Sequence, residues 1–330
     1  MPLISVIIPY YNTPLNALKR CIHPFLTQSY EEVEVILVDD CSTQQYSQSI
    51  TELISTAKTS MMLAKTPHNG GQNYARHTGI RMARGTYIAF LDSDDYYDMT
   101  EFEKVIDVVR LQESRLYCFN AVAVDATGKE LYMENIAHEV SGSSPMKQSI
   151  RKAAALWNWV IDANLFKQNS LNTSLRIGED LVSIIPILAN ADNVIPINAA
   201  PYRYVQHLSS MMKRADTEDR AMLIKGFDTM LNEHQHELAP YRDEIEWQAI
   251  WHILFWEPLQ ILQQQPHMAT RYYRQARAWM DNVFPQWRQN PYLRTDSLAQ
   301  EARFHLITKG HYMVYRTLHS VTSLIHNIQP

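Results

Sequence analysis

The sequence predicts an α/β fold, with a doubly wound and mostly parallel sheet followed by an α-helical C-terminal region. Four short apolar runs alternate with three helical patterns over about the first ninety residues, at 3–9, 33–38, 61–64 and 87–91. This order requires right-handed crossovers between parallel strands. After Ser210 only helical patterns remain. We therefore expect one domain over 1–212, with halves 1–100 and 101–212, and a helical domain over 213–330.

Local patterns justify the individual elements. Between the first strands, apolar residues recur at helical spacing, as in Leu15, Leu18 and Ile22. Helices are predicted at 15–26, 45–57, 75–83, 102–111 and 181–188. Further strands are predicted at 117–124, 130–133, 157–161 (with an aromatic wall as the alternative), 194–197 and 202–205. Prolines divide the C-terminal region into several short antiparallel helices, at Pro258, Pro266, Pro285 and Pro291.

Charge is unevenly distributed along the chain. The protein has 30 Lys and Arg against 35 Asp and Glu, yet the residues from Pro266 onward carry eight bases and three acids. An acidic body with a basic tail favours an anionic partner for the tail, either lipid at the inner membrane face or an acidic glycolipid, over nucleic acid. A homodimer contact and an ordinary solvated basic face are the alternatives.

Three features predict a cytoplasmic protein. Cys21, Cys41 and Cys118 are widely spaced and form no C-x-x-C pair, which indicates neither a disulfide framework nor a zinc site. The N-terminal run at 1–9 lacks basic residues and is too short for a signal peptide. No stretch approaches the length of a membrane-spanning helix, so membrane contact would be peripheral.

The apolar run at 87–91 is followed at once by Asp92, Asp94 and Asp95. Like charges this close repel one another unless a cation lies among them. Oxygen ligands suit Mg²⁺ or Mn²⁺, and these ions keep open positions for phosphate oxygens. The alternative is a solvated turn in which Asp95 or Asp98 caps the next helix.

Three polar loops meet at one edge of the predicted sheet. They follow the strands that end near Pro9, Val38 and Leu91. In doubly wound sheets, ligands bind at the carboxyl ends of the strands. The carboxylates of these loops therefore converge in space, which favours the metal site over the helix cap.

Four motifs occur in order along the first hundred residues. They are Val6-Ile7-Ile8-Pro9-Tyr10-Tyr11-Asn12, Val38-Asp39-Asp40-Cys41-Ser42, Asn69-Gly70-Gly71 with Ala75-Arg76-His77-Thr78-Gly79, and Phe90-Leu91-Asp92-Ser93-Asp94-Asp95. As a set they resemble family 2 glycosyltransferases of the bacterial surface-polysaccharide type, which are inverting enzymes of the GT-A fold. Two later segments resemble the family's acceptor-side acidic motif and the segment that closes its domain, Gly178-Glu179-Asp180 and Tyr202-Arg203-Tyr204 through Ser209-Ser210. The sequence departs from the family at Cys41, where Gly is usual, and at His77, where Asn is usual.

The resemblance implies that 1–212 is a GT-A catalytic domain, with a nucleotide-sugar-binding half at 1–100 and an acceptor half at 101–212. The donor-binding residues that it implies are Pro9, Tyr11, Asp39, Asp40, Arg76, Asp92 and Ser93. Asp92 matches the position that meets the ribose. A carboxylate of the Asp39–Asp40 pair would accept from the uracil N3–H, which favours a UDP-sugar. A helix-surface ion pair is the alternative for Arg76.

The resemblance also implies a divalent metal, Mn²⁺ or Mg²⁺. Asp94 matches the position that binds the metal on the pyrophosphate, where the cation neutralises charge on the leaving group. His207 lies where some relatives supply a metal or phosphate contact. A packed or surface histidine is the alternative for His207.

Asp180 is the predicted general base, and Glu179 is the alternative. Inversion needs a carboxylate opposite the leaving group, where it takes the proton of the acceptor hydroxyl. An acid at a helix start after Gly178 is also what an ordinary N-cap looks like. Trp157 and Trp159 are candidate stacking surfaces for acceptor sugars, with core positions as the alternative.

The expected activity is transfer of one sugar, hexosyl or N-acetylhexosaminyl, from a nucleotide-diphosphate donor to a saccharide or glycolipid acceptor. The expected setting is bacterial capsule, lipopolysaccharide or O-antigen synthesis. The loop at 9–12 contains no Gly, which disfavours a dehydrogenase and a sugar-nucleotide pyrophosphorylase. A catalytically inactive GT-A-like protein that binds carbohydrate or acts as a scaffold is the remaining alternative, and the intact Asp92, Asp94 and Asp180 argue against it.

Overall fold

A computed structural model describes residues 1–142, 144–206 and 215–318 of the chain. The chain divides into two compact units, Met1–Lys213 and Arg214–Pro330. The first unit is built on one mixed sheet of nine strands. In its described part, the second unit is helical.

The strands of the sheet follow the chain in nine segments. They are β1 Ile4–Tyr10, β2 Val33–Asp39, β3 Ser60–Lys65, β4 Tyr87–Phe90, β5 Tyr96–Tyr97, β6 Leu116–Val124, β7 Glu130–Glu134, β8 Trp159–Asp162 and β9 Ile195–Val205. Their order across the sheet is β3-β2-β1-β4-β8-β6-β9-β5, and β7 pairs with β6. The strands β3, β2, β1 and β4 are parallel, as predicted. The rest of the sheet mixes both directions.

Helices connect the strands and cover the sheet. They are α1 Leu15–Thr27, α2 Gln44–Ile54, α3 Gln72–Met82, α4 Met99–Leu111, α5 Ile136–Val140, α6 Pro145–Arg151, α7 Leu165–Gln168 and α8 Glu179–Ala189. Every residue of β1 and β2 is buried. This explains why these strands are apolar on both faces, as central parallel strands are.

Helix α3 approaches β1 very closely because its sequence places a glycine at the contact. A Cβ at Gly79 would lie 2.5 Å from Cγ2 of Ile7, inside any normal contact distance. This close approach brings the start of α3, at Gln72, to the carboxyl ends of the central strands. The fold thereby sets the side chains of α3 beside the loop that follows β4.

Two sequence predictions in the acceptor half need correction. The predicted strands 194–197 and 202–205 form one strand, β9, whose pairing with β6 shifts register between Phe119 and Ala121. This shift in pairing accommodates residues 198–201, which lie between the two predicted strands, without ending β9. The predicted strand at 157–161 begins only at Trp159, so Trp157 precedes β8.

The described part of the second unit consists of helices and short helical turns. They are α9 Thr217–Glu233, α10 Gln235–Leu238, α11 Arg242–Ala249, a π-helical segment Ile250–Trp256, α12 Glu257–Gln264, α13 Ala269–Val283, α14 Tyr292–Thr295 and α15 Ala302–Thr308, with 3₁₀ turns at Ala239–Tyr241, Trp287–Gln289 and Leu298–Gln300. None of the helices in the described residues is long and apolar enough to cross a membrane.

The prediction that Pro258 separates two helices is wrong. The chain stays helical from Arg242 to Gln264, and Pro258 lies in the first turn of α12. The preceding residues adopt π-helical pairing, which absorbs the hydrogen bond that a proline cannot donate. In the core of this unit, Arg220 and Glu257 form an ion pair of 2.5 Å with both side chains 1% exposed.

Candidate active site

The carboxylate of Asp92 lies just beyond β4, at the carboxyl edge of the sheet. Its Oδ1 accepts hydrogen bonds from Nη2 of Arg76 at 2.8 Å and from Nε2 of Gln72 at 2.5 Å. Its backbone N–H donates to the hydroxyl of Tyr202 at 3.3 Å. Helix α3 and strand β9 therefore fix Asp92 from two sides.

Arg76 joins Asp92 to the acidic motif at the start of α8. Its side chain is fully buried, and Nη1 donates to Oδ1 of Asp180 at 2.5 Å and to Oδ1 of Asn73 at 2.9 Å. The guanidinium also lies over the ring of Phe90 at 5.4 Å. Because Arg76 is buried, its alternative as a helix-surface ion pair is wrong.

Asp180 is held by a second contact besides Arg76. Its Oδ2 accepts from the backbone N–H of Leu156 at 3.3 Å, and its side chain remains 17% exposed. The N-cap of α8 is Gly178, and no side chain caps the helix, so the N-cap alternative for Asp180 is wrong. Asp180 is thus a positioned carboxylate that solvent or a ligand can reach.

Burial and neighbouring negative charges raise the pKa values of Asp92 and Glu179. Burial raises the pKa of Asp92 to about 6; the Arg76 charge opposes this, whereas Asp180 and Asp94 add to it. Burial, followed by the charge of Asp180, raises the pKa of Glu179 to about 8. Burial alone would lower the pKa of Arg76, but Asp180 and Asp92 hold it above its ordinary value. Arg76 therefore stays charged, and Glu179 is mostly protonated at neutral pH.

The acids at the end of β2 are both buried but differ in their contacts. Oδ1 of Asp39 accepts from the backbone N–H of Ser42 at 2.6 Å, and its Oδ2 lies 3.6 Å from Nζ of Lys65. Asp40 accepts from the backbone N–H groups of Gly70 and Gly71, at 3.0 and 2.8 Å. Asp40 therefore holds the loop that leads into α3.

Two residues in the neighbouring loops adopt the left-handed conformation. Asn12 has φ 47° and Cys41 has φ 64°. The loops interlock, because the Asn12 N–H donates to Oγ of Ser42 at 2.9 Å and Oδ1 of Asn12 accepts from the Thr43 N–H at 3.1 Å. The glycine that is usual at position 41 suits this conformation, whereas Cys41 adopts it at a cost of roughly 1–2 kcal/mol.

The two remaining acids of the loop after β4 have separate environments. Asp95 accepts from the hydroxyl of Tyr202 at 2.7 Å and from the Val205 N–H at 2.7 Å, so it ties the loop to β9. The backbone carbonyl of Asp94 accepts from Nη2 of Arg20 at 2.9 Å. The next helix is capped by Asp98, which accepts from the Glu101 N–H.

The other predicted donor-side residues surround this edge. Pro9 is buried within β1, and Tyr11 is 51% exposed just after it. The Ser93 hydroxyl lies 2.7 Å from that of Thr13. His207 lies outside the described residues.

The two tryptophans predicted to bind the acceptor differ in exposure. Trp157 is half-buried and stacks on Tyr202 and Tyr204, with ring centroids 4.4 and 6.3 Å apart. Trp159 is only 1% exposed, because its strand position points into the core. Trp159 therefore exposes no ring face to a sugar. It is a core residue, which was the alternative for this position.

Comparisons with known proteins identify the family of the chain. Residues 5–166 match the family model described as Glycosyl transferase family 2. The putative teichuronic acid biosynthesis glycosyltransferase TuaG of Bacillus subtilis is 32% identical over 217 residues, which cover 64% of this chain and 83% of TuaG. The chain belongs to glycosyltransferase family 2.

Solved structures show the same fold. The chain matches Staphylococcus aureus TarS 1-349 in complex with UDP with a TM-score of 0.70 and 18% identity, over 98% of this chain and 92% of that one. It also matches the mannosyltransferase PcManGT from Pyrobaculum calidifontis in complex with GDP-Man and Mn²⁺, with a TM-score of 0.55 and 15% identity, over 96% and 86% of the chains. The GT-A fold prediction is confirmed. The chain spans only 37–63% of the length of several curated relatives.

The oxygen ligands at this edge fit a divalent cation that takes few ligands from the protein. Within the described residues, no group of three or more His, Cys, Asp or Glu side chains is arranged to hold a metal ion. A Mg²⁺-type site commonly uses one or two carboxylates and completes its shell with phosphate oxygens and water. Asp94 offers one half-buried carboxylate. Burial, and then the charges of neighbouring acids that include Asp94, raise the pKa values of Asp92 and Asp95.

Several residues that build this site were not predicted from the sequence. Gln72 contacts Asp92, and the Asn73 amide donates to the backbone carbonyl of Asn172 at 2.9 Å. Both follow the Gly70-Gly71 motif directly, so their place at the start of α3 was the available signal. Arg20 carried no signal, because it reaches Asp94 from the outer part of α1.

Proposed function

We propose that the protein is an inverting glycosyltransferase that moves one sugar from UDP to a saccharide or glycolipid acceptor. The observation that carries the proposal is the shared contact of Arg76 with Asp92 and Asp180. The donor-side carboxylate of Asp92 and the carboxylate of Asp180 on α8 both contact the buried guanidinium of Arg76. This arrangement suits a reaction in which the leaving group and the acceptor are handled from opposite sides of one sugar.

The donor binds at the carboxyl edge of β1, β2 and β4 in this proposal. Tyr11 presents an exposed ring for the base, and Asp39 offers a carboxylate that can accept from the uracil N3–H. Asp92 accepts from the ribose hydroxyls, with Ser93 beside it. Asp40 acts indirectly, by holding the loop at Gly70 and Gly71 in place.

Asp180 acts as the general base. The acceptor hydroxyl oxygen attacks the anomeric carbon while its proton passes to Asp180, and the bond to the diphosphate breaks with its electron pair on the leaving oxygen. Arg76 orients Asp180 through its hydrogen bond to Oδ1. Burial and the charge of Asp180 raise the pKa of Glu179 to about 8, which favours its protonated form at neutral pH and makes it the weaker candidate for this role.

A divalent cation would be held by Asp94 together with the diphosphate, and His207 is a further candidate ligand. When bound, the cation supplies Lewis-acid stabilisation of the departing diphosphate. The complex of PcManGT with GDP-Man and Mn²⁺ supports this proposal. Arg20 contributes by holding the backbone of Asp94 through its carbonyl oxygen.

The proposed cellular setting is the synthesis of a bacterial surface polysaccharide at the cytoplasmic face of the membrane. TuaG supports the setting, and the complex of TarS with UDP-GlcNAc supports an N-acetylhexosaminyl donor. Arg271 and Arg274 are exposed on α13 and would meet anionic lipid. Flotation of the full-length protein with phosphatidylglycerol vesicles tests this contact, because Arg271→Glu with Arg274→Glu should release the protein, whereas a dimer role would leave flotation unchanged.

The activity is tested by screening UDP- and GDP-sugars for Mn²⁺-dependent hydrolysis and transfer. We expect release of UDP from one UDP-sugar, lost by at least a hundredfold in Asp94→Ala and in Asp180→Asn. Asp192→Ala is the matched control, because Asp192 is an exposed acid away from the site. Sugar binding without turnover, unaffected by these substitutions, would instead identify an inactive carbohydrate-binding protein.

A further inference from the structure

A cavity of about 400 Å³ opens in the first unit between β7, α5 and the segment before β8. Its lining includes Met133, Glu134, Glu139, Lys152 and Trp157. The volume falls in the range of small-molecule sites, which combine an apolar wall with a few polar groups. None of these residues has a role in the donor site described above, apart from the expectation that Trp157 meets the acceptor.

The wall of the cavity is continuous with the proposed base. Leu156, the residue before Trp157, donates its backbone N–H to Asp180 at 3.3 Å. Trp157 stacks on Tyr202, whose hydroxyl accepts from the Asp92 N–H. One short segment thus borders the cavity on one side and contacts the catalytic carboxylates on the other.

The polar groups of the cavity carry a net negative charge. Lys152 pairs with Glu139 at 3.0 Å. Glu134 is half-buried and forms no side-chain hydrogen bond or ion pair with any described residue. Burial, and then the charge of Glu139, raises the pKa of Glu134 above its ordinary value. The Glu134 carboxylate is therefore open to accept hydrogen bonds from the hydroxyl groups of a ligand.

We propose that this cavity is the acceptor subsite and that it takes a hydroxyl-rich sugar unit that carries no anionic group. The sugar ring stacks on Trp157, and its hydroxyls donate to Glu134. The excess of acids over Lys152 repels acceptor units that carry phosphate or carboxylate at this position. This inference rests on the proposed function and names the acceptor class for it.

Glycoside binding to the full-length protein, measured by saturation-transfer NMR in the presence of UDP and Mn²⁺, tests the proposal. The probes are methyl glucoside, methyl galactoside and methyl N-acetylglucosaminide, against methyl glucuronide. We expect one or more of the three uncharged glycosides to bind in preference to the glucuronide. Glu134→Gln should weaken that binding about tenfold or more, the loss of a hydrogen bond to a charged group.

Glu130→Gln is the matched control, because Glu130 is an exposed acid on the same strand and does not line the cavity. Glu134→Lys reverses the local charge and should shift preference towards the glucuronide. The proposal is overturned if no uncharged glycoside binds, if the glucuronide binds best to the wild type, or if Glu134→Gln behaves like Glu130→Gln. Calorimetry of UDP and Mn²⁺ on the same samples is a separate readout. Absence of UDP binding would contradict the proposed function, whereas the glycoside signal tests whether the cavity binds a sugar.

Discussion

Arg76 donates to Asp180 over 2.5 Å, although 104 residues separate them along the chain. The same guanidinium donates to Asp92 at 2.8 Å. A planar guanidinium can hold two carboxylates in fixed directions, which a single ammonium cannot do. The relative positions of the two catalytic-site acids therefore depend on one buried side chain of α3.

The first prediction concerns Arg76. Arg76→Met leaves two partly buried carboxylates without this cation and should destabilise the fold by about 3–5 kcal/mol. Arg76→Lys keeps the charge but cannot bind both acids in the same geometry, so we expect a near-native fold and at least a hundredfold loss of transfer. Urea unfolding and UDP release measure the two effects. Arg81→Lys, an exposed change on the same helix, is the control, and full transfer by Arg76→Lys would contradict the bridging role.

The second prediction concerns the stability contributed by Asp92. Its pKa is raised from 3.8 to about 6 in the folded protein, so ionised Asp92 lowers stability at neutral pH. Asp92→Asn should therefore stabilise the fold by about 1–3 kcal/mol at pH 7 while donor hydrolysis falls at least a hundredfold. This gain should shrink as pH falls from 6 to 4, because the wild-type carboxyl then binds a proton in the folded state first.

Denaturant unfolding of wild type and Asp92→Asn across this pH range measures that gain. Asp107→Asn provides the comparison, since Asp107 is an exposed acid on α4. A variant that is less stable than the wild type at pH 7, and equally so at pH 4, would show that the Arg76 contact outweighs the burial of Asp92.

The third prediction separates the two candidates for the general base. Because Glu179 has a pKa of about 8, it is mostly neutral at pH 7, and Glu179→Gln should retain most of the transfer rate there. Asp180→Asn should lose at least a hundredfold. Above pH 8, ionised Glu179 adds negative charge near the diphosphate, so kcat/KM for the donor should decline in the wild type and not in Glu179→Gln. A large loss in Glu179→Gln at pH 7 would assign the base to Glu179 instead.

The sequence was sufficient to predict the parallel strands β1 to β4 and the edge of the sheet at which the acids lie. Apolar runs between helical patterns determine β1 to β4, and the loops that follow these strands must share one edge. The pattern could not show that Asp40 turns inward to Gly70 and Gly71 while Asp39 contacts Ser42. Asp39 and Asp40 are identical neighbours at the end of β2, so only the backbone N–H groups that they contact distinguish them.

Residues 101–212 were harder to predict, because residues that look alike in sequence differ in the backbone position that the fold gives them. Trp157 and Trp159 lie two residues apart, yet one lines a cavity and the other is buried, because β8 begins only at Trp159. The family resemblance placed Arg76 among the donor-binding residues, with a surface ion pair as the alternative, and the sequence could not show its burial because charged residues are rarely buried without partners. Its partner Asp180 lies too far along the chain for any local pattern to reveal.

The last prediction concerns the glycine that lets α3 approach the sheet. A Cβ at Gly79 would lie 2.5 Å from Cγ2 and 3.2 Å from Cγ1 of Ile7. Gly79→Ala should therefore push α3 away from β1 and destabilise the fold by about 1–3 kcal/mol, despite the better helix propensity of alanine. Because Gln72 and Arg76 move with the helix, donor affinity should also fall.

Two further variants show whether the close contact is the cause. Ile7→Ala removes Cγ2 and Cγ1, the two atoms that a new Cβ would meet most closely, so Gly79→Ala should cost less stability in an Ile7→Ala background than in the wild type. Met82→Ala, a partly exposed change on α3, should leave UDP affinity unchanged. Urea unfolding and calorimetric UDP affinity measure both, and a Gly79→Ala protein as stable and as tight-binding as wild type would mean that α3 tolerates a wider spacing from β1.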